Sequence, residues 1–236
     1  MKKAVVLFSG GADSTVTLSF ALSKGYACTA LIFDYGQRHA KETTFAVARA
    51  KALGVPYHVV KIAMPWGGSA LTDKNIAVPT GKKLDRKGVP VTYVPGRNSV
   101  FLSFAFSCAE AVGAKEIFIG AHVQDYSGYP DCRPEYLAAF ESAVNGGLAC
   151  GKIKLRAPLI DLDKTGIIKL GLKLGVDFSK TWSCYNGGKK PCGVCDSCRY
   201  RIRAFGELGM TDPALHVRTG DANAGALTAR TRSGVR

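Results

Sequence analysis

The sequence predicts an α/β protein, a Rossmann-like doubly wound parallel sheet with a small C-terminal zinc-binding helical segment. Three observations carry that expectation. Apolar runs of strand length at 4–8, 27–33 and 57–62 alternate with helix-length stretches, which makes two βαβ units and so a parallel sheet covered on both faces. A glycine turn, Ser9-Gly10-Gly11-Ala12-Asp13-Ser14, joins the first strand to the first helix. Four cysteines crowd into the fifteen positions from Cys184 to Cys198, a spacing that suits one divalent metal.

Each element follows from local pattern. Gly10-Gly11 permit a tight turn, and Asp13, Ser14 or Thr15 can cap a helix continuing through Val16, Leu18 and Leu22. The second strand ends in Asp34-Tyr35-Gly36-Gln37-Arg38-His39; a helix over 40–53 follows, stopped by Gly54-Val55-Pro56. Residues 64–95 lose periodicity, gain Gly and Pro, and carry Lys82, Lys83, Arg86 and Lys87. They read as an insertion, either a lid or a solvated loop. Pro95-Gly96-Arg97-Asn98-Ser99 opens a long helix to Val112, with Asn98 or Ser99 as its N-cap, and 115–121 is the fourth strand. A polar and aromatic loop comes next, then a helix opened by Pro134 and carrying Tyr136, Leu137, Phe140 and Val144. Residues 152–157 form a fifth strand, and Asp163 caps a helix to about Leu174. A basic helix over 199–208 closes the ordered part; beyond it, few large apolar residues remain to offset ordering entropy, so the tail is expected to be disordered. The organisation is thus an α/β domain over 1–180, the cysteine segment and basic helix over 181–210, and the tail over 211–236.

Composition is that of a globular chain, 47% hydrophobic and 21% charged. No apolar run reaches the length of a membrane span, and Met1-Lys2-Lys3 leads straight into the first strand. The expectation is a cytoplasmic protein without membrane partners. The net charge of +14 invites a nucleic-acid reading. Its distribution weakens that reading, because much of the excess is terminal or in the insertion while 101–150 is net acidic.

The glycine turn gathers free backbone N–H groups at a helix N-terminus beside the hydroxyls of Ser9, Ser14 and Thr15, which is a phosphate site. A turn needed only for packing would suit any α/β protein. The spacing Cys184-x7-Cys192-x2-Cys195-x2-Cys198 lets four thiolates close a tetrahedral shell, a structural zinc site. An iron–sulfur cluster is the competing reading, disfavoured by the missing fourth Cys-Pro. In the loop after the fourth strand, Asp125, Asp131 and Glu135 offer acceptors to a purine-like edge and Tyr126 or Tyr129 a stacking face, at the sheet edge where such folds bind ligands. Helix capping by Asp131 and Glu135 is the plain alternative. Arg97 and Lys164 are candidate partners for phosphate or carboxylate.

The turn resembles the S-G-G-x-D-S signature of the ATP pyrophosphatase (PP-loop) family, whose adenine-nucleotide-alpha-hydrolase-like fold agrees with the one read above. The resemblance implies ATP contact across Phe8, Ser9, Gly10, Gly11, Ala12, Asp13, Ser14, Thr15, Val16, Thr17 and Leu18. With Phe33-Asp34-Tyr35-Gly36-Gln37-Arg38-His39, Pro95-Gly96-Arg97-Asn98, Asp125-Tyr126-Ser127-Gly128-Tyr129-Pro130-Asp131-Cys132-Arg133-Pro134-Glu135 and the four cysteines, it resembles more narrowly the QueC family of 7-cyano-7-deazaguanine synthases, over about residues 3–209. That resemblance implies an ATP-dependent carbon–nitrogen ligase acting on 7-carboxy-7-deazaguanine and ammonia in queuosine precursor biosynthesis, with Mg²⁺ and one structural Zn²⁺. Ammonia would be free or delivered by a partner, no nucleic acid is required, and a homodimer is allowed. Catalytic roles then fall to Ser9, Asp13, Ser14 and Lys164, and substrate contacts to Arg97, Asp125, Tyr126, Tyr129, Asp131, Arg133 and Glu135. Other readings are a tRNA thiolation or amidation enzyme on the same scaffold, for which Cys132 is the candidate sulfur carrier, and a zinc-dependent nucleic-acid-binding module.

Overall fold

The computed structural model describes residues 1–38, 41–81, 84, 88–126 and 128–216, with Tyr126 and His216 described by backbone alone. Five parallel strands, β1 (Lys3–Leu7), β2 (Ala27–Asp34), β3 (Tyr57–Lys61), β4 (Glu116–Phe118) and β5 (Lys154–Arg156), stand in the order β3-β2-β1-β4-β5. The winding reverses between β1 and β4, and such a switch point opens a crevice at the carboxyl ends of the strands. The helices are α1 (Ala12–Ser23), α2 (Lys41–Ala52), α3 (Arg97–Val112), α4 (Val123–Tyr126), α5 (Pro134–Asn145), α6 (Lys164–Lys173), α7 (Asp196–Glu207) and α8 (Pro213–His216).

Alternation along β1 divides the core between the two faces. Val6 and Phe8 pack with Leu18, Ile32 and Ala46 under α1 and α2, while Val5 and Leu7 pack with Leu102, Phe106 and Ile117 under α3. A third cluster, Val16, Ile167, Ile168, Phe178 and Phe205, joins α1 to α6 and α7. This apolar block fixes α1, and with it the glycine turn, from two sides.

Several local expectations change. The N-cap of α1 is Gly11, not Asp13, Ser14 or Thr15, which already lie inside the helix. The N-cap of α3 is Gly96, ahead of Asn98 and Ser99. In neither case does the cap residue supply a side-chain bond; α3 instead receives one from afar, the Asp131 carboxylate accepting from the Asn98 amide at 3.0 Å. Asp163 does cap α6, accepting from the Gly166 amide at 2.7 Å. Helix α7 begins at Asp196 rather than Arg199, directly on the cysteine segment.

The insertion is not a free loop where it is described. Ala70 and Val78 are buried with Trp182 and three of the cysteines, Thr80 forms an antiparallel bridge with Cys195, and the Arg38 guanidinium holds the carbonyls of Asp73, Lys74 and Ile76. Its basic cluster, Lys82, Lys83, Arg86 and Lys87, lies outside the described residues, as does His39. The tail expected to be disordered from 211 is ordered to 216: Asp212 is buried in an ion pair with Arg201, and α8 follows. Residues 217–236 lie outside the described residues. No described helix is long and apolar enough to cross a membrane.

Candidate active site

A cavity of about 240 Å³ opens at the switch point, above the ends of β1, β2 and β4. One wall is the glycine turn. Gly10 has φ of 75°, and a β-carbon there would sit 2.6 Å from the Ala46 amide nitrogen, so only glycine lets the turn lie against α2. The Ser14 hydroxyl accepts from the Ser9 amide at 3.2 Å and lies 3.1 Å from the Ser9 hydroxyl, which itself accepts from the Gly11 amide at 3.3 Å. These bonds close a short ring of donors around the N-terminus of α1, where the helix dipole favours an anion.

Asp13, from the first turn of α1, faces the cavity and meets Lys164 of α6, Oδ1 to Nζ at 2.6 Å. Behind it stands His122, buried at the end of the fourth-strand segment. Its Nε2 lies 3.1 Å from Lys164 Nζ, 3.3 Å from Asp125 Oδ2 and 3.7 Å from Asp13 Oδ2. Burial opposes ionisation of Asp13, but Lys164 and His122 together hold its carboxyl well below the usual carboxylate range. Burial raises Asp125, against the pull of His122 and Lys164. Two cavity-facing carboxylates thus share one imidazole–ammonium pair, its imidazole buried, and are driven in opposite directions.

The far wall comes from separate stretches of chain. Asp125, Tyr129 and Cys132 of the base-side loop, Leu71 and Thr92 of the insertion, and Tyr185 and Ser197 of the cysteine segment all line it. The Tyr129 and Thr92 hydroxyls are 2.9 Å apart. Phe33 and Phe101 stack at 3.9 Å and 8°, and Arg97 at the start of α3 sits 5.7 Å from the Tyr35 ring with a 3.3 Å bond to its hydroxyl. Glu42 also faces this space, its carboxyl pushed by burial up to about 7 against the pull of Arg97.

Beside the cavity the four cysteine sulfurs lie within 4.8 Å of one another, all but Cys192 buried. Amide groups of Cys192 and Cys195 donate to the sulfurs of Cys184 and Cys192, both at 3.3 Å. Such N–H···S bonds stabilise thiolates, and four converging sulfur donors fit a tetrahedral thiophilic ion, so the cluster can hold a metal.

The family model described as "Queuosine biosynthesis protein QueC" matches residues 3–209. The chain belongs to this family. A 7-cyano-7-deazaguanine synthase of Trichodesmium erythraeum is 49% identical over 221 residues, covering 90% of this chain and 100% of that protein. Those of Dechloromonas aromatica and Methylococcus capsulatus are each 51% identical over 224 residues, covering 92% of this chain and 99% of theirs.

Within this QueC-family chain the structure sorts the expected site residues. Phe8, Ser9, Gly11, Asp13 and Ser14 reach the cavity, as do Arg97, Asp125 and Tyr129. The nucleotide window narrows at its far end: Thr15, Val16, Thr17 and Leu18 are fully buried, because α1 turns them into the core between sheet and α6. Thr15 and Thr17 spend their hydroxyls on carbonyls one turn back, at 2.7 and 2.9 Å. Lys164 is placed behind Asp13, not on the cavity wall. Asp131 is buried as the cap of α3, and Arg133 and Glu135 are exposed beyond the cavity, so these three do not line it. The Tyr126 side chain and Ser127 fall outside the described residues.

Sequence reasoning missed His122, Tyr35, Phe101, Glu42, Ser183 and Tyr185. His122 and Tyr35 had a usable signal, since Tyr35 directly follows β2 and His122 the strand read from the sequence over 115–121, both at the ligand-binding edge. The others reach the cavity only through tertiary packing.

Proposed function

We propose that this chain is an ATP-dependent carbon–nitrogen ligase that turns 7-carboxy-7-deazaguanine and ammonia into the 7-cyano compound through an adenylated acid and an amide, in the cytoplasm. The observation that carries the reading is a single cavity with a phosphate-binding turn on one wall and Asp125 with Tyr129 on the other, in a chain matched along nearly its whole length by synthases of that name.

The carboxylate oxygen of the substrate is a poor leaving group. Its attack on the α-phosphorus of ATP expels pyrophosphate, whose charge falls on the positive end of α1 and the hydroxyls of Ser9 and Ser14. Ammonia then attacks the activated carbon and AMP departs. Asp13 stays ionised, and Lys164 behind it fixes the carboxylate and offsets its charge. Asp125 accepts from N–H groups of the base, Tyr129 and Arg97 fix the ring, and the stacked Phe33 and Phe101 give the cavity an apolar surface. Magnesium arriving with the triphosphate would supply charge neutralisation, and the cavity-facing carboxylate of Asp13 would fit a hard cation there. The activated oxygen leaves with AMP and the other carboxylate oxygen becomes the amide oxygen; turned toward a second ATP in the same cavity, it takes the α-phosphorus and expels pyrophosphate, and loss of AMP with the two N–H protons leaves the nitrile. The cysteine cluster holds one zinc and contributes folding free energy.

Mass analysis of a mixture of protein, 7-carboxy-7-deazaguanine, ATP, Mg²⁺ and ammonium tests this, with nitrile, AMP and pyrophosphate expected. Synthetic 7-amido-7-deazaguanine should give the nitrile without ammonium. No nitrile from either, with steeply salt-dependent RNA binding instead, would reassign the chain to the nucleic-acid-binding reading. The sulfur-carrier reading is disfavoured by Cys132: burial raises its thiol far above the ordinary value, and Asn98 Nδ2 donates to it at 3.1 Å, which leaves it a packed thiol rather than a nucleophile. Elemental analysis should find zinc, and iron would replace it with a cluster.

A further inference from the structure

The segment that carries the cysteines touches the phosphate turn directly. The Trp182 amide donates to the Gly10 carbonyl at 3.0 Å, and the Ser183 hydroxyl accepts from the Ala12 amide at 3.4 Å. Behind 181–183 stands Arg201 of α7, a buried arginine that the reaction itself does not use. All five of its N–H donors are engaged. Nε and Nη2 bind the Asp212 carboxylate at 2.7 and 2.8 Å, Nη2 also reaches the Phe178 carbonyl at 3.0 Å, and Nη1 donates to Thr181 at 2.7 Å and Ser183 at 3.3 Å. The helix that carries Arg201 starts on the cluster: Cys195 is its N-cap and Cys198 lies in its first turn. A second tie runs through Trp182, whose indole N–H donates to the Cys184 carbonyl at 3.0 Å.

We propose that Arg201 and Ser183 are positioning residues for the phosphate turn, and that through them metal ligation at the four cysteines and nucleotide binding in the cavity form one coupled equilibrium. This rests on reading the cavity as an ATP site. Without ligation, four crowded thiols have nothing to hold them together and the start of α7 is released. Arg201 then loses its fixed place over Thr181 and Ser183, and the turn loses its two outside bonds at Gly10 and Ala12. The nucleotide must order the turn by itself, at a cost in affinity. Because coupling is reciprocal, bound nucleotide must tighten the metal by the same factor.

The test uses the zinc-loaded full-length chain and an ATP analogue that cannot be cleaved between the α- and β-phosphates. Calorimetry reads analogue affinity, and competition with a colorimetric chelator reads apparent zinc affinity with and without the analogue. The analogue should raise zinc affinity about fivefold or more. Ser183→Ala should keep one zinc per chain, weaken analogue binding by a similar factor and raise KM for ATP more than it lowers kcat. Arg201→Lys retains charge against Asp212 but loses the fork to Thr181 and Ser183, and should act as Ser183→Ala does. If wild type binds the analogue but its zinc affinity does not respond, or Ser183→Ala binds the analogue as wild type does, the coupling is overturned. Failure of the zinc-loaded wild type to bind the analogue at all would overturn the nucleotide reading, and the inference with it.

Discussion

The two walls of the cavity are built in opposite ways. The phosphate wall comes from one stretch, 8–14, closed by bonds among Ser9, Gly11 and Ser14 and carried on a helix whose far side is core. The base wall is assembled from pieces distant in sequence: Asp125 and Tyr129, Thr92 from the insertion, and Tyr185 from the cysteine segment. A contiguous wall takes its shape from its own turn and helix, and the bonds of Trp182 and Ser183 at Gly10 and Ala12 only trim its position from outside. An assembled wall is only as well placed as the least stable of its suppliers, which suits a surface that must admit and release a planar substrate.

The sharpest way to break this comparison is at Gly10. Alanine there meets the backbone of Ala46 and must also adopt φ of 75°. Overpacking and strain together should cost about 3 kcal/mol or more and abolish turnover, visible as a lowered urea midpoint. Gly11→Val is the control: its backbone is ordinary, at φ of −74°, and its nearest neighbours are 3.3 to 3.4 Å away. It should keep the fold and lose turnover. A stable, active Gly10→Ala protein would show that the phosphate wall is not held against α2.

That asymmetry also explains what was legible in the sequence. The strands, the glycine turn and the cysteine spacing are signals written over a few adjacent residues. The choice among Asp125, Asp131 and Glu135 was not so written, because all three are acidic, neighbouring and plausible. The fold separates them: Asp131 caps α3, Glu135 points to solvent, and Asp125 alone faces the cavity. His122 was overlooked since a lone histidine after a strand is ordinary until Lys164, brought in from 42 residues away, lands beside it.

Asp13 offers the next largest effect and one with a pH signature. Its folded pKa is depressed, so its stabilisation is complete above its unfolded value near 3.8 and is lost as pH falls through the folded value. Asp13→Asn leaves Lys164 without its 2.6 Å partner. At pH 7 the variant should be less stable by about 2 kcal/mol, between exposed and buried pairs. The deficit should shrink as the pH is taken below about 4, where the native carboxylate begins to lose its advantage. A deficit that stays constant from pH 7 to pH 3 would mean the pair does not form in solution.

Within the base wall, Asp125→Ala and Asp131→Ala should separate binding from folding. The first removes an acceptor from the cavity and should weaken 7-carboxy-7-deazaguanine binding by about 1 to 3 kcal/mol, with little change in the unfolding midpoint. The second uncaps α3 and should cost about 1 to 2 kcal/mol of stability. Reversed outcomes, measured by calorimetry and urea titration on the same preparations, would return base recognition to Asp131.

The smallest change is also the most discriminating between the two kinds of wall. Thr92→Val removes the hydroxyl 2.9 Å from the Tyr129 hydroxyl and keeps the buried side chain near its original volume. Losing this one hydroxyl–hydroxyl bond should cost about 1 kcal/mol of stability. What changes is the tie between insertion and base-side loop, and with it the average position of the Tyr129 ring. KM for 7-carboxy-7-deazaguanine should therefore rise several-fold while KM for ATP stays put, since no bond of the phosphate turn passes through Thr92. If the two constants rise together, the insertion orders both walls at once, and the contrast between a contiguous wall and an assembled one does not extend to function.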